Sequence, residues 1–315
     1  MIAMKVANIT PADVPTSVNF DARSSSFFQY YSQLPSPEEV RSRAQAQYLA
    51  GTHWGWKTRG VATGYNAHPT PAVFEFENIL LFVKWGSDVR ISEAQTLYTI
   101  RKSYGDSIPV PEIYGWRKDG DEMFLYMEAI RGKTLEEVWP ALNENERLHI
   151  CGELRTILSN LRQLKQDPSD RFIGNITKEN YYERALFEES QSETGPFPSV
   201  KEFHDWFIQQ YKRMMPDPET VAEPYRKELP DDCEIVYTHG DFHRSNIIIS
   251  FAPLRVAALI DWEQSAWLPA YWEECKAHWT ADQFDEWAVK YLPLILDFHE
   301  RIQEAWHYYT NPVGC

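Results

Sequence analysis

The chain has 315 residues, enough for one large or two modest domains with a buried core. A composition of 43% hydrophobic and 24% charged residues is that of a globular protein and excludes a disordered one. The formal net charge of -15 argues against a nucleic-acid partner, because phosphate binding needs basic surface. The acidity is uneven: residues 1–129 balance at -2 and the rest of the chain at -13. That half is either an ordinary acidic solvent face or a surface that attracts a cationic substrate. Cys151, Cys233, Cys275 and Cys315 lie far apart, with no CxxC pair or Cys/His cluster that would suggest zinc or a disulfide framework. The start of the chain lacks a signal-peptide core, and the longest apolar run, Ile79 to Val83, is far too short for a bilayer. No membrane partner and a cytoplasmic location are the expectations.

In chain order, the first 35 residues read as an arm packed on the body. Ser36-Pro37-Glu38-Glu39 starts a helix, with Ser as cap, Pro in the first turn and Glu closing the capping box; it runs to about Ala50. Ala72–Phe76 and Ile79–Trp85 are predicted strands joined at Glu77-Asn78. Ser92 is the expected cap of a helix reaching Tyr104. Glu112–Lys118 and Met123–Ile130 read as a hairpin around Asp119-Gly120-Asp121. Residues 36–129 thus form a small, mostly antiparallel β lobe carrying one helix.

From residue 130 the pattern changes. Thr134 and Glu137 make a second capping box. Asn143–Lys165 is an amphipathic helix with Ile150, Leu154, Ile157, Leu161 and Leu164 on its core face. Residues 167–198 are loop-like and Val200–Met214 is helical. After a proline-rich connection come a strand at Glu234–Thr238, a polar stretch at 239–246, a strand pair at Ile247–Ser250 and Val256–Ile260, and helices to the end, the first over Trp267–Trp279. A β lobe followed by a mostly helical lobe, 130–315, places a ligand site between the two.

The polar stretch reads His239-Gly240-Asp241-Phe242-His243-Arg244-Ser245-Asn246, and Leu259-Ile260-Asp261-Trp262-Glu263 follows the strand pair. An aspartate, an asparagine five positions on and a second aspartate beyond a strand supply what phosphoryl transfer needs. One carboxylate can take the proton of an attacking hydroxyl, and an amide and a carboxylate can hold Mg²⁺. Together with Pro269-Ala270-Tyr271-Trp272-Glu273, these stretches resemble the aminoglycoside phosphotransferase family, in particular its large fungal group, over about residues 55–300.

The resemblance implies an α+β, bilobal protein-kinase-like fold and an ATP- (or GTP-) and Mg²⁺-dependent transfer of the γ-phosphate to a small-molecule hydroxyl. It makes Asp241 the catalytic base, Asn246 and Asp261 the metal ligands, and His239 a brace of the catalytic loop. Lys84 would contact the phosphates and pair with Glu93, whose structural alternative is to stabilise a helix N-terminus. Glu128, Ala129 and Ile130 would meet the adenine edge through their backbone. Arg59–Gly64 stands where a phosphate-covering loop belongs but lacks its glycine pattern; it is either an abbreviated version or an ordinary turn. A helix starting at Trp267, so soon after Glu263, leaves no room for a peptide-docking segment, so no protein substrate is expected. Trp267, Tyr271, Trp272 and Glu273, with Trp262, Trp279, Glu274, Asp282 and Asp285 around them, could line an acceptor pocket for an amine or sugar, or be core aromatics beside an acidic face. The alternatives to a kinase are a fold that binds nucleotide without turnover and one redirected to other nucleotide-dependent chemistry.

Overall fold

A computed structural model describes residues 7–52, 69–186, 193–281 and 284–311. Arg59–Gly64, Asp282 and Cys315 lie outside the described residues.

The first lobe is a five-stranded antiparallel sheet. Its elements are β1 (Phe20–Asp21), α1 (Pro37–Leu49), β2 (Ala72–Glu75), β3 (Leu80–Gly86), α2 (Ile91–Tyr104), β4 (Ile113–Asp119) and β5 (Glu122–Glu128). The strand order is β1-β4-β5-β3-β2. Part of the expected arm is therefore built into this lobe. Phe20 pairs with Trp116 at the sheet edge, and Phe27 is wholly buried among Phe28, Tyr31, Phe76 and Tyr114.

Helix α1 starts as its sequence dictates. The Ser36 N–H donates to Glu39 Oε2 at 2.7 Å and the Glu39 N–H to Ser36 Oγ at 3.3 Å, closing the capping box. Arg41 then ties the helix to Asp119 and Glu122 of the β4–β5 hairpin. In β3 the two-residue period buries Leu81 and Val83 against α1 and turns Leu80, Phe82 and Lys84 to the other face. Helix α2 begins two residues earlier than expected. Arg90 holds the extended cap conformation, and Ser92 lies inside the first turn and caps nothing. The same shift leaves Glu93 in the first turn and buried.

The second lobe is built from α3 (Glu144–Leu161), α4 (Val200–Arg213), β6 (Ile235–Thr238), β7 (Ile247–Phe251), β8 (Leu254–Leu259), β9 (Ala266–Pro269), α5 (Trp272–Thr280) and α6 (Glu300–Thr310). Helix α3 keeps its Asn143–Glu146 capping box and its core face but stops at Leu161. Leu164–Lys165 leaves the helix to pair in parallel with Ala7–Asn8, a partner more than 150 positions away that local periodicity does not reveal. The helix expected from Trp267 is likewise shorter, starting at Trp272. Residues 266–269 are strand β9, because buried β6 needs a backbone partner and finds it in the register Ile235↔Pro269 to Thr238↔Ala266. Even so, only Gln264 and Ser265 separate Glu263 from β9. One hydrophobic cluster runs through α2, the connection after β5, α3, β7 and β8, so the lobes share a core. No described helix is long and apolar enough to cross a membrane.

Truncating Phe27→Ala is expected to cost about 3–5 kcal/mol, the range for a fully buried aromatic. Urea unfolding measures it; a change below about 1 kcal/mol would show that the segment is an arm the lobe does not need.

Candidate active site

Lys84 leaves β3 on the face opposite the Leu81/Val83 core and ends among three carboxylates. Its Nζ donates to Glu93 Oε2 at 2.8 Å, to Asp261 Oδ1 at 2.8 Å and to Glu263 Oε2 at 3.2 Å. The three carboxylate groups come from α2 and from the loop after β8, with one oxygen of each within 4.8 Å of the others. Burial works to lower the Lys84 pKa, but Asp261, Glu93 and Glu263 outweigh it and hold the ammonium well above its ordinary value. Burial pushes Glu93 up to about 7, with Lys84 pulling it down and Asp261 and Glu263 pushing it further up.

Asp261 sits at φ +66, in the left-handed region where a side chain other than glycine's costs roughly 1–2 kcal/mol. This backbone turn brings its carboxylate to Lys84, and such outliers cluster at functional sites. Two residues later, Glu263 shares the same cation. Sequence reasoning left Glu263 out of the site; the signal available was an acid two positions after Asp261.

The second half of the site is the loop between β6 and β7. Asn246 Nδ2 donates to Asp241 Oδ2 at 2.9 Å and to the Asp241 carbonyl at 3.0 Å, which fixes the carboxylate. Ser245 Oγ donates to Asn246 Oδ1 at 3.4 Å. His239 accepts the Asp241 N–H on Nδ1 at 3.2 Å, so its proton is on Nε2, which donates to the Ile260 carbonyl at 2.9 Å. The Ile260 N–H in turn donates to the Asn246 carbonyl at 2.9 Å. His239 and Asn246 therefore clamp the Asp241 loop to the Asp261 turn.

Gly240 occupies the tightest point. Its φ is +78, and a Cβ there would stand 2.1 Å from the Gln264 carbonyl oxygen. Beneath it, Glu273 accepts the Gly240 N–H on Oε1 at 3.1 Å and the His239 N–H on Oε2 at 2.5 Å. Burial raises the Glu273 pKa against the opposing pull of His239 and of these two N–H groups.

The acceptor-pocket expectation fails for the residues that carried it. Glu273 is an internal anchor of the Asp241 loop. Trp267, Tyr271 and Trp272 are at most 2% exposed. Trp267 packs edge-on against Tyr237; the Tyr271 hydroxyl and His204 Nε2 hydrogen-bond at 2.7 Å; Trp272 Nε1 donates to Glu183 at 3.0 Å. The reason is strand β9 and the first turn of α5, which turn these rings into the core. Trp262 is fully buried and donates to the Leu259 carbonyl, Glu274 is fully buried beside His278, and Asp285 is paired with Arg244.

The connection between the lobes has two of its three N–H groups already engaged. The Glu128 N–H donates to the Glu112 carbonyl at 2.8 Å and the Ala129 N–H to the Leu80 carbonyl at 3.0 Å. Those two donors are spent inside the first lobe. Any base contact there falls to Ile130 or to carbonyl oxygens.

The sequence model of the APH group, described as the phosphotransferase enzyme family, matches residues 88–301. Among solved structures, the chain is similar to aminoglycoside phosphotransferase APH(4)-Ia, with 15% identity, a TM-score of 0.50 and coverage of 78% of this chain and 79% of that one. It is also similar to the aminoglycoside-3'-phosphotransferase of type VIII, with 15% identity, a TM-score of 0.46 and coverage of 80% and 92%. At 15% identity the likeness to APH(4)-Ia is one of fold. Among curated proteins no sequence matches.

Replacing Glu273→Gln removes one acceptor from under two backbone donors. It is expected to cost about 1–3 kcal/mol and to speed amide exchange at His239 and Gly240 ahead of the rest of the lobe. Unchanged exchange at both amides in a destabilised variant would contradict the anchoring role.

Proposed function

Because the chain belongs to the phosphotransferase enzyme family, whose model spans well over half of it, we propose that it transfers the γ-phosphoryl group of ATP or GTP, with Mg²⁺, to a hydroxyl of a small molecule. The observation that carries this reading is the convergence of Lys84, Glu93 and Asp261 at hydrogen-bond distance, joined through Ile260 to the Asp241–Asn246 loop.

Asp241 is the group that orients the acceptor hydroxyl and takes its proton as the phosphoryl moves. Asn246 holds the carboxylate in one orientation for that task, and positioning counts for more than base strength in a loose transition state. Lys84, kept charged by its neighbours, is the contact for the nucleotide phosphates, and Glu93 steadies it from α2. Asn246 and Asp261 would hold Mg²⁺, with Glu263 beside them. Three carboxylates around one ammonium leave the cluster net negative, and hard oxygen donors suit that cation. Bound there, Mg²⁺ would neutralise charge on the phosphate oxygens. The two-residue link from Glu263 to β9 supports a small acceptor, since nothing in it could extend to dock a peptide.

The test is ADP release with Mg·ATP across hydroxylated metabolites. Asp241→Asn should lower kcat by about 10²–10⁴ while keeping nucleotide-dependent stabilisation, and Lys84→Met should raise the nucleotide KM at least about tenfold. A wild-type protein that no Mg–nucleotide stabilises, and that shows no turnover distinct from Asp241→Asn, would overturn the proposal.

A further inference from the structure

We propose that Tyr182 and Arg184 form the acceptor-side wall of this site and that the acceptor carries an anionic group, a carboxylate or a phosphate ester, which Arg184 binds. The inference rests on the phosphotransfer reading above and names the class of acceptor it leaves open.

Tyr181–Tyr182 form a short strand paired with Glu193–Thr194, and alternate burial continues to Arg184, which opens a 3-10 turn. Tyr181 and Glu183 point into the core, at 2% and 0% exposure, while Tyr182 is half-buried and Arg184 exposed on the other side. The inward side is locked. Glu183 Oε1 accepts from Lys276 Nζ at 2.5 Å and Oε2 from Trp272 Nε1 at 3.0 Å. The same Lys276 donates to Gln264 Oε1 at 2.7 Å, and the Arg184 N–H donates to that oxygen at 3.0 Å. A buried ion pair is a poor source of stability compared with an apolar pair of similar size. What this one supplies is a fixed direction for the residues on either side of Glu183.

Gln264 makes that direction functional. It directly follows Glu263, and its carbonyl is the group packed against Gly240, next to Asp241. The backbone of Arg184 and the loop bearing Asp241 thus touch the same residue. Electrostatics agree: burial raises the Tyr182 pKa, Glu263 raises it further, and Arg184 and Arg90 lower it. The phenol therefore lies in the fields of an active-site carboxylate and two guanidinium groups. Arg90, from the start of α2, stacks over the Tyr182 ring with its Cζ 3.8 Å from the centroid. The carboxylates of the site are claimed by Lys84 and, in the proposed reaction, by Mg²⁺. The Arg184 guanidinium makes no ion pair or hydrogen bond with a described residue, and its planar fork matches an oxyanion in two bonds.

Matched acceptors test this: D-gluconate against D-glucose for a carboxylate, glycerol 3-phosphate against glycerol for a phosphate, and D-glucosamine as the cationic control. ADP release with Mg·ATP is measured for wild type, Arg184→Gln and Arg184→Lys. In at least one pair the anionic member should be used with a kcat/KM about tenfold or more above its neutral partner, the scale of a charge-assisted bond. Arg184→Gln should erase that preference through KM and leave the nucleotide KM and the neutral acceptor within about twofold. Arg184→Lys should keep part of it. The side chain is exposed, so thermal unfolding should not change. Preference for the neutral or cationic compounds, or an equal loss on every acceptor in Arg184→Gln, overturns the inference and leaves phosphotransfer standing. Should none of the five be turned over, equilibrium dialysis of gluconate and glycerol 3-phosphate against protein loaded with Mg and a non-hydrolysable ATP analogue decides. Saturable binding lost in Arg184→Gln supports the inference, and no such binding overturns it. Absence of any nucleotide-dependent stabilisation would instead remove the phosphotransfer reading on which the inference rests.

Discussion

One ammonium group ties the two lobes of this architecture together. Lys84 comes from the first lobe, Glu93 from the helix laid across it, and Asp261 and Glu263 from the second lobe, and all three carboxylates reach the same Nζ. An unpaired charge in such a partly buried place would cost several kcal/mol, so each partner constrains the others. Like charges gathered this closely would also repel, and the lysine is what allows Asp261 and Glu263 to stand side by side. The strand period that turns Lys84 off the Leu81/Val83 face, the early start of α2 that leaves Glu93 inward, and the left-handed backbone at Asp261 are three local choices that make sense only together.

The loop bearing Asp241 obeys a second constraint, close packing of backbone on backbone. Gly240 lies so near the Gln264 carbonyl that no side chain fits, and the N–H groups exposed by that turn are taken up by buried Glu273. His239 and Asn246 then fasten the loop to Ile260 from opposite sides. Asp241, Asn246 and Asp261 are thus held by hydrogen bonds among backbone and buried side chains, the kind of preorganisation that a site working by positioning requires.

What could be read from the chain beforehand was what local chemistry decides. Capping boxes at Ser36, Thr134 and Asn143 operate over three residues, and the β2–β3 and β4–β5 pairs follow from alternation and a short turn. The spacing of Asp241, Asn246 and Asp261 was legible for the same reason. The misread parts depend on distant partners. Residues 266–269 are a strand because β6 lies beside them, and Leu164 leaves its helix because Ala7 does. The aromatic run at 267–272 gave no sign of which way it faced, since a ring beside a carboxylate looks the same in sequence whether it lines a cleft or fills a core. Glu183 carried no signal at all; its partner Lys276 is 93 positions away.

The same lesson applies to charge. The excess of acid after residue 130 left two readings, an ordinary acidic face or attraction for a cationic acceptor, because net charge counts groups without asking what each is facing. Glu273 is bonded to backbone amides, Glu274 sits with His278, Asp231 with His204 and Arg226, Asp285 with Arg244, and Glu286 with Arg147 and Lys290. These carboxylates are internal struts or surface pairs, screened from a ligand by their own partners. Under the inference above, the local balance at the rim of the site is set by the few charges that the fold directs there, and the buried Glu183–Lys276 pair, next to Arg184, fixes one of them. Net acidity does not oppose such a contact, because the field at a cleft is governed by the nearest unscreened groups and falls away within about 10 Å for the rest.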